Sequence, residues 1–121
     1  MNNSNGFRNS LRIGKNSNRI LDNLERNSYD ERELNRLARE YNIFTYAGQD
    51  PYELYKLIKN AMNGDYISNI HIYHKIFDNY DENSLWDLSY YEDIPSDDLT
   101  KTQFINLLIK KYIPSEYWVD I

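Results

Sequence analysis

The chain contains no cysteine, which excludes disulfides, thiolate nucleophiles and cysteine-based zinc sites. It holds only four glycines and three prolines, and none of the glycines forms a phosphate-cradling loop. Alanine and valine are scarce, at three and one, against sixteen asparagines and thirteen isoleucines. Asn, Ile, Tyr and Lys use AT-rich codons, so the imbalance points to an AT-rich genome. Part of the Asn and Tyr content then reflects codon usage rather than chemistry. No apolar run approaches the roughly 18 residues that span a bilayer, and no membrane partner is expected. The start, "MNNSNGFRNS", lacks the apolar stretch of a secretory signal. It holds Arg, Asn and Ser without an acid, which leaves an organellar transit segment open. The expected location is the cytoplasm or nucleus, or the inside of a virion, and not a secreted one.

What is present is charge and aromatic surface. The 121 residues carry a net charge of −5 and twelve tyrosines. The overall charge argues against a general nucleic-acid binder, but it is unevenly placed. Residues 1–21 hold Arg8, Arg12, Lys15 and Arg19 with no acid, whereas residues 64–121 hold four Lys against eleven Asp and Glu. A basic start therefore precedes an acidic end.

The apolar periodicity predicts an all-α fold: two small helix–loop–helix modules joined by a central helix, with an extended N-terminal arm. Residues 1–28 read as a basic Asn/Ser-rich arm ending in a short helix over 19–27, with Ile20, Leu21 and Leu24 on one face. Module 1 covers 29–63. Its first helix, capped by Asp30, places Leu34, Leu37, Ala38 and Tyr41 at helical spacing. Its second opens on "DPYEL", with Asp50 as N-cap, Pro51 at the first helical position and Glu53 placed to close a capping box. The connecting helix lies within 64–83, where a stripe of Ile67, Ile70, Tyr73, His74, Phe77 and Tyr80 outweighs a partial strand-like alternation. Module 2 covers 84–121. Leu85, Trp86 and Leu88 are its first apolar positions. Thr100 and Gln103 form a capping box, Leu99 and Phe104 a hydrophobic staple, and Leu107, Leu108 and Tyr112 continue the face. The tail "SEYWVDI" is too apolar for a free end and is expected to pack on the fold or on another chain.

The two modules echo one another. Leu34, Leu37 and Ile43 of "LNRLAREYNI" match Leu85, Leu88 and Ile94 of "LWDLSYYEDI", 51 residues on. Leu54, Leu57 and Ile58 match Ile105, Leu108 and Ile109 at the same offset, while Asp50 and Thr100 match at 50. Chance alignment of helix pairs explains recurring helices; a recurring isoleucine and loop length favour a repeated module.

The stretch "ELNRLAREYNI" resembles the helix–extended-loop–helix motif shared by the SAP domain and the N-terminal domain of transcription termination factor Rho. That motif reads roughly Glu-Leu-x-x-Leu-Ala-x-Glu-x-x-Ile, then a loop and a Glu-Leu-Ile helix. Its matches here are Glu33, Leu34, Leu37, Ala38, Glu40, Ile43, Glu53 and Leu54, and "TKTQFI" is similar to the second-helix start in the second copy. The resemblance spans roughly 30–62 and 84–113, a tandem arrangement, and implies binding of DNA or RNA through the loop and second helix. Two departures stand against it. "GQDPYE" holds no Lys or Arg where basic residues are expected, and Asp93, Asp97 and Asp98 surround Lys101 in copy two.

Phosphate contact needs several cations on one surface. The candidates are Arg8, Arg12, Lys15 and Arg19 with Arg32, Arg36, Arg39, Lys56 and Lys59. A bland reading makes the helical ones a solvated face balanced by Glu33, Glu40 and Glu53. In module 2, Asp93, Asp97 and Asp98 with Tyr117 and Trp118 are the candidates for binding protein. Tyr46, Tyr52, Tyr55, Tyr90 and Tyr91 can stack on a partner or fill the fold's boundary. His71 and His74 share a helix face but have no further ligand at metal spacing, and the acids 92–98 lack calcium-loop order. No nucleophile has a paired base. The expectation is therefore a binding protein without enzymatic activity, cofactor or metal. Nucleic acid binds the arm and module 1, and protein binds acidic module 2. The alternative is a structural interaction protein of a virion or other large assembly that binds no nucleic acid. A third class is an inhibitor whose acidic surface imitates nucleic acid.

Overall fold

The computed structural model describes residues 18–121 except Ser96. Arg8, Arg12 and Lys15, and with them most of the expected arm, lie outside the described residues. The protein is all-α, with no strand among the described residues. Helix α1 covers 18–26. It is followed by α2 (Glu31–Glu40), α3 (Pro51–Met62), α4 (Tyr66–Asp78), α5 (Glu82–Tyr91), α6 (Lys101–Lys110) and a 3-10 helix (Ser115–Asp120). No helix among the described residues is long and apolar enough to cross a membrane. The chain divides into two compact units between Asp65 and Tyr66. The helix expected as a connector falls within the second unit.

In the first unit α1 ends on two consecutive left-handed residues, Ser28 and Tyr29, with φ of 55° and 59°. The Tyr29 amide donates to the Leu24 carbonyl at 2.8 Å, closing the helix end. Its ring lies 4.9 Å from that of Tyr55 and 5.7 Å from that of Tyr52, holding a bulky residue in a conformation it rarely adopts. Asp30 caps α2 by accepting from the Arg32 amide at 3.0 Å. Helix α2 packs on α3, and their buried faces are Leu34, Leu37 and Ala38 against a face that includes Leu54, Leu57 and Ile58.

The capping box expected at α3 does not form. Asp50 accepts from the Tyr52 amide at 3.1 Å, so the cap itself stands. The Glu53 carboxylate instead accepts from the Tyr46 hydroxyl at 2.6 Å and the Gln49 amide at 3.1 Å. Two donors in the loop outcompete the single backbone amide at the cap.

In the second unit α4 packs on α6 and on the 3-10 helix. Two neighbours displace the buried arc from the expected stripe. Asn69, Ile70, Tyr73, Ile76 and Phe77 are buried, whereas Ile67 is exposed and His74 and Tyr80 are half-buried. Asp81 caps α5 by accepting from the Ser84 amide at 2.7 Å, and Leu85 is the helix's one buried residue. Trp86, expected on the apolar face, is exposed, because a helix buried along one narrow line leaves its next residue facing solvent. The box at α6 forms as expected: the Gln103 amide donates to Thr100 Oγ1 at 3.1 Å, and the Thr100 amide to Gln103 Oε1 at 2.9 Å. Phe104, Ile105, Leu108 and Ile109 are its buried face, and Leu107 is exposed rather than part of it. The tail packs back: the Trp118 indole donates to the Ile113 carbonyl at 2.8 Å, and the Tyr117 and Tyr66 rings lie 5.2 Å apart.

Candidate functional site

Each unit presents a cleft at the same place, between the first turn of its middle helix, the extended loop and the first turn of its last helix. In the first unit Glu31, Leu34, Asn35, Pro51 and Leu54, with the loop from Thr45 to Gln49, enclose about 370 Å³. In the second, Glu82, Leu85, Trp86, Leu99, Thr100, Lys101 and Phe104 line an open groove of about 240 Å³. The linings correspond. Glu31, Leu34 and Asn35 match Glu82, Leu85 and Trp86 at an offset of 51; with the caps Asp50 and Thr100 matched instead, at 50, Gln49, Pro51 and Leu54 fall at Leu99, Lys101 and Phe104.

The backbone around the clefts corresponds as well. Asn42 and Asp93 leave their helices at φ 56° and 54°. The isoleucines that follow donate back to the helix, Ile43 to the Ala38 carbonyl at 2.7 Å and Ile94 to the Ser89 carbonyl at 3.0 Å. Gly48 and Asp98 turn the loops at φ 80° and 63°.

The rims differ. Along α2 the exposed stripe beside the first cleft is Arg32, Arg36 and Arg39; the matching residues of α5 are Asn83, Asp87 and Tyr90. Arg36 is held on both sides: it pairs with Glu33 through a short contact and with Glu40 at 3.0 Å. That pairing holds the Glu33 carboxyl below its ordinary value, chiefly through the hydrogen bond from Arg36. Among the described residues, Arg32, Arg39 and Lys59 make no ion pair. Lys56 lies 5.3 Å from the Tyr52 ring centre. Arg19 is exposed on α1, in a shallow depression shared with Asp22 and Arg26.

In the second unit Trp86, Tyr90 and Tyr91 are 67%, 76% and 81% exposed. The Tyr90 and Tyr91 rings meet edge to face at 5.5 Å. Asp93, Asp97 and Asp98 are exposed, and Asp97 and Asp98 directly precede the cleft residue Leu99. Glu92 is tied inward, accepting from the Tyr112 hydroxyl while Lys111 donates to its carbonyl. Burial, reinforced by the Glu92 carboxylate, pushes the Tyr112 phenol well above its ordinary 10.0. Tyr117 is half-buried by its contact with Tyr66, and Trp118 lies beneath Lys110, whose ammonium is 5.5 Å from the ring centre. Of the protein-binding candidates, the three aspartates are thus free surface, while the two aromatics also serve the tail's own packing. Trp86 was not among those candidates. Its signal is in the repeat, since its match at offset 51 is the exposed, polar Asn35. No family model, curated protein or solved structure matches the chain.

Proposed function

We propose that this protein is a non-enzymatic binding protein whose two like modules carry unlike faces. The second module binds protein, and the first, together with the basic N-terminal segment, binds DNA or RNA. The observation that supports this reading is the pair of corresponding clefts with opposite rims, Arg32, Arg36 and Arg39 on one and Asn83, Asp87 and Tyr90 on the other. A common scaffold with divergent rims suits recognition of two different partners. The SAP- and Rho-like reading of the helix–loop–helix pairs belongs to the same proposal and gives the nucleic-acid partner its motivation.

Helix α2 carries three Arg against Glu31, Glu33 and Glu40, so alone it is neutral. Phosphate attraction therefore depends on adding Lys56 and Lys59 and the acid-free start with Arg8, Arg12, Lys15 and Arg19. Binding of labelled duplex and single-stranded nucleic acid, measured by anisotropy at two salt concentrations, tests this. The expected result is steeply salt-dependent binding, with the log–log slope falling by about 1 for each phosphate-contacting cation removed among Arg32→Ala, Arg39→Ala, Lys56→Ala and Lys59→Ala. No binding at low salt contradicts it. A second reading, an interaction protein of a large assembly with no nucleic-acid contact, is favoured by the engagement of Arg36 with Glu33 and Glu40.

A further inference from the structure

The aromatic patch of α5 has a composition that selects its occupant. Trp86 and Tyr90 are one helical turn apart and face the same way, and Tyr91 extends the patch through its contact with Tyr90. Three aromatics this exposed on one short helix exceed the scattered apolar residues of an ordinary surface. The ground around them is acidic apart from Lys101 in the cleft wall. Between Ile76 and Thr100 the chain holds eight Asp and Glu and no Lys, Arg or His. Glu82 lines the cleft one turn before Trp86, and Asp87 follows Trp86 on α5 outside the cleft lining. The cation in the cleft wall, Lys101, donates to the Asp78 carbonyl at 3.2 Å, at the C-terminal end of α4.

We infer that the cleft between α5 and the start of α6 takes an arginine or lysine side chain from a basic segment of a partner protein, the cation lying against Trp86 and facing Glu82, with Asp87 outside the cleft adding longer-range attraction. Aromatic faces attract cations through their electron-rich rings, and adjacent carboxylates add charge attraction and hydrogen-bond acceptors. The opening of about 240 Å³ is smaller than an ordinary small-molecule pocket and has room for one long side chain. The same carboxylates repel a phosphate backbone, so the rings are placed for a cationic peptide rather than for stacking bases. In the first unit Asn35 and Arg39 stand where Trp86 and Tyr90 stand here, so its cleft lacks the feature.

This inference rests on the protein-binding reading of the second module and narrows it to one partner chemistry. The test uses the full chain with three labelled decapeptides of Arg/Ser, Glu/Ser and Tyr/Ser, followed by anisotropy at low and moderate salt. The Arg/Ser peptide is expected to bind, and the Glu/Ser peptide to fail. Trp86→Ala weakens binding about tenfold with an unchanged circular dichroism spectrum, while Trp86→Phe restores most of it. Glu82→Gln with Asp87→Asn weakens binding and flattens its salt dependence. Equal binding of the Arg/Ser peptide to the wild type and to Trp86→Ala overturns the inference. So does self-association by sedimentation that Trp86→Ala abolishes, because a second copy then covers the patch. Trp86-dependent binding of the Tyr/Ser peptide alone overturns the basic partner but leaves the protein-binding reading standing. Failure of all three peptides, with no effect of Trp86→Ala on sedimentation, removes both.

Discussion

At the residue scale, the chain uses glycine or a short polar side chain where the backbone turns left-handed around the two clefts. Asn42, Asp93 and Asp98 adopt positive φ, as Gly48 does. Asn and Asp tolerate that region because their side chains bond locally. Asp93 and Asp98 therefore have a structural reason to be there, apart from any partner. Asp81 is also placed by the backbone: hydrogen bonds, led by that from the Ser84 amide, hold its carboxyl below its ordinary 3.8. A depressed carboxyl contributes stability that is present above the unfolded value and lost as pH falls through the folded one. The second unit is expected to weaken as pH falls below 3.8, and Asp81→Asn, which keeps a capping oxygen, to flatten that loss. Thermal melts followed by circular dichroism from neutral to acid pH check this. A wild type and a variant with parallel acid profiles would contradict it. The raised phenol of Tyr112 acts in the opposite window. Its contribution is complete below pH 10.0 and is lost as pH rises through the folded value.

At the scale of elements, the helices were legible where caps and apolar spacing agreed. Asp30, Asp50 and Thr100 cap the helices they were expected to cap. Glu53 shows the limit of such signals, since a local motif cannot register the Tyr46 and Gln49 donors that the loop folds against it. The same holds for faces. Ile67, Trp86 and Leu107 are apolar and fall near a helical stripe, yet all three are exposed. Periodicity locates a stripe, but the neighbours that a helix acquires decide which arc of it is buried. The site was legible in part. The charge contrast between "LNRLAREYNI" and "LWDLSYYEDI" is visible in the sequence, but the clefts require the loop's folded path. The two last helices are accordingly expected to answer differently to the loss of their third residue. Gln103→Ala costs roughly 0.5–1 kcal/mol by removing a cap bond, as read by denaturant melts. Glu53→Ala frees the loop instead, and faster amide hydrogen exchange over Thr45–Gln49 with little change at α3's first turn is the result that distinguishes it.

At the scale of the whole molecule, each unit has three α-helices in the same order among the described residues, the second followed by the 3-10 helix, and each has its own buried core and its own cleft. Matching positions keep the packing residues, as in Leu34 and Leu85 or Ile43 and Ile94, all buried. Matching surface positions exchange charge and character, Arg36 for Asp87 and Arg39 for Tyr90. Matching positions thus keep what buries apolar surface and vary what faces solvent; that the two exposed faces take different partners is the central proposal. Its most direct test is a single titration series on the full chain with two labelled ligands, an Arg/Ser peptide and a nucleic acid. It compares the wild type, the Arg32/Arg39/Lys56/Lys59→Ala variant and Trp86→Ala. The account predicts a crossed result: the quadruple variant loses nucleic acid and keeps the peptide, and Trp86→Ala loses the peptide and keeps nucleic acid. Loss of both ligands in either variant while circular dichroism stays unchanged, or of neither in both, would contradict it.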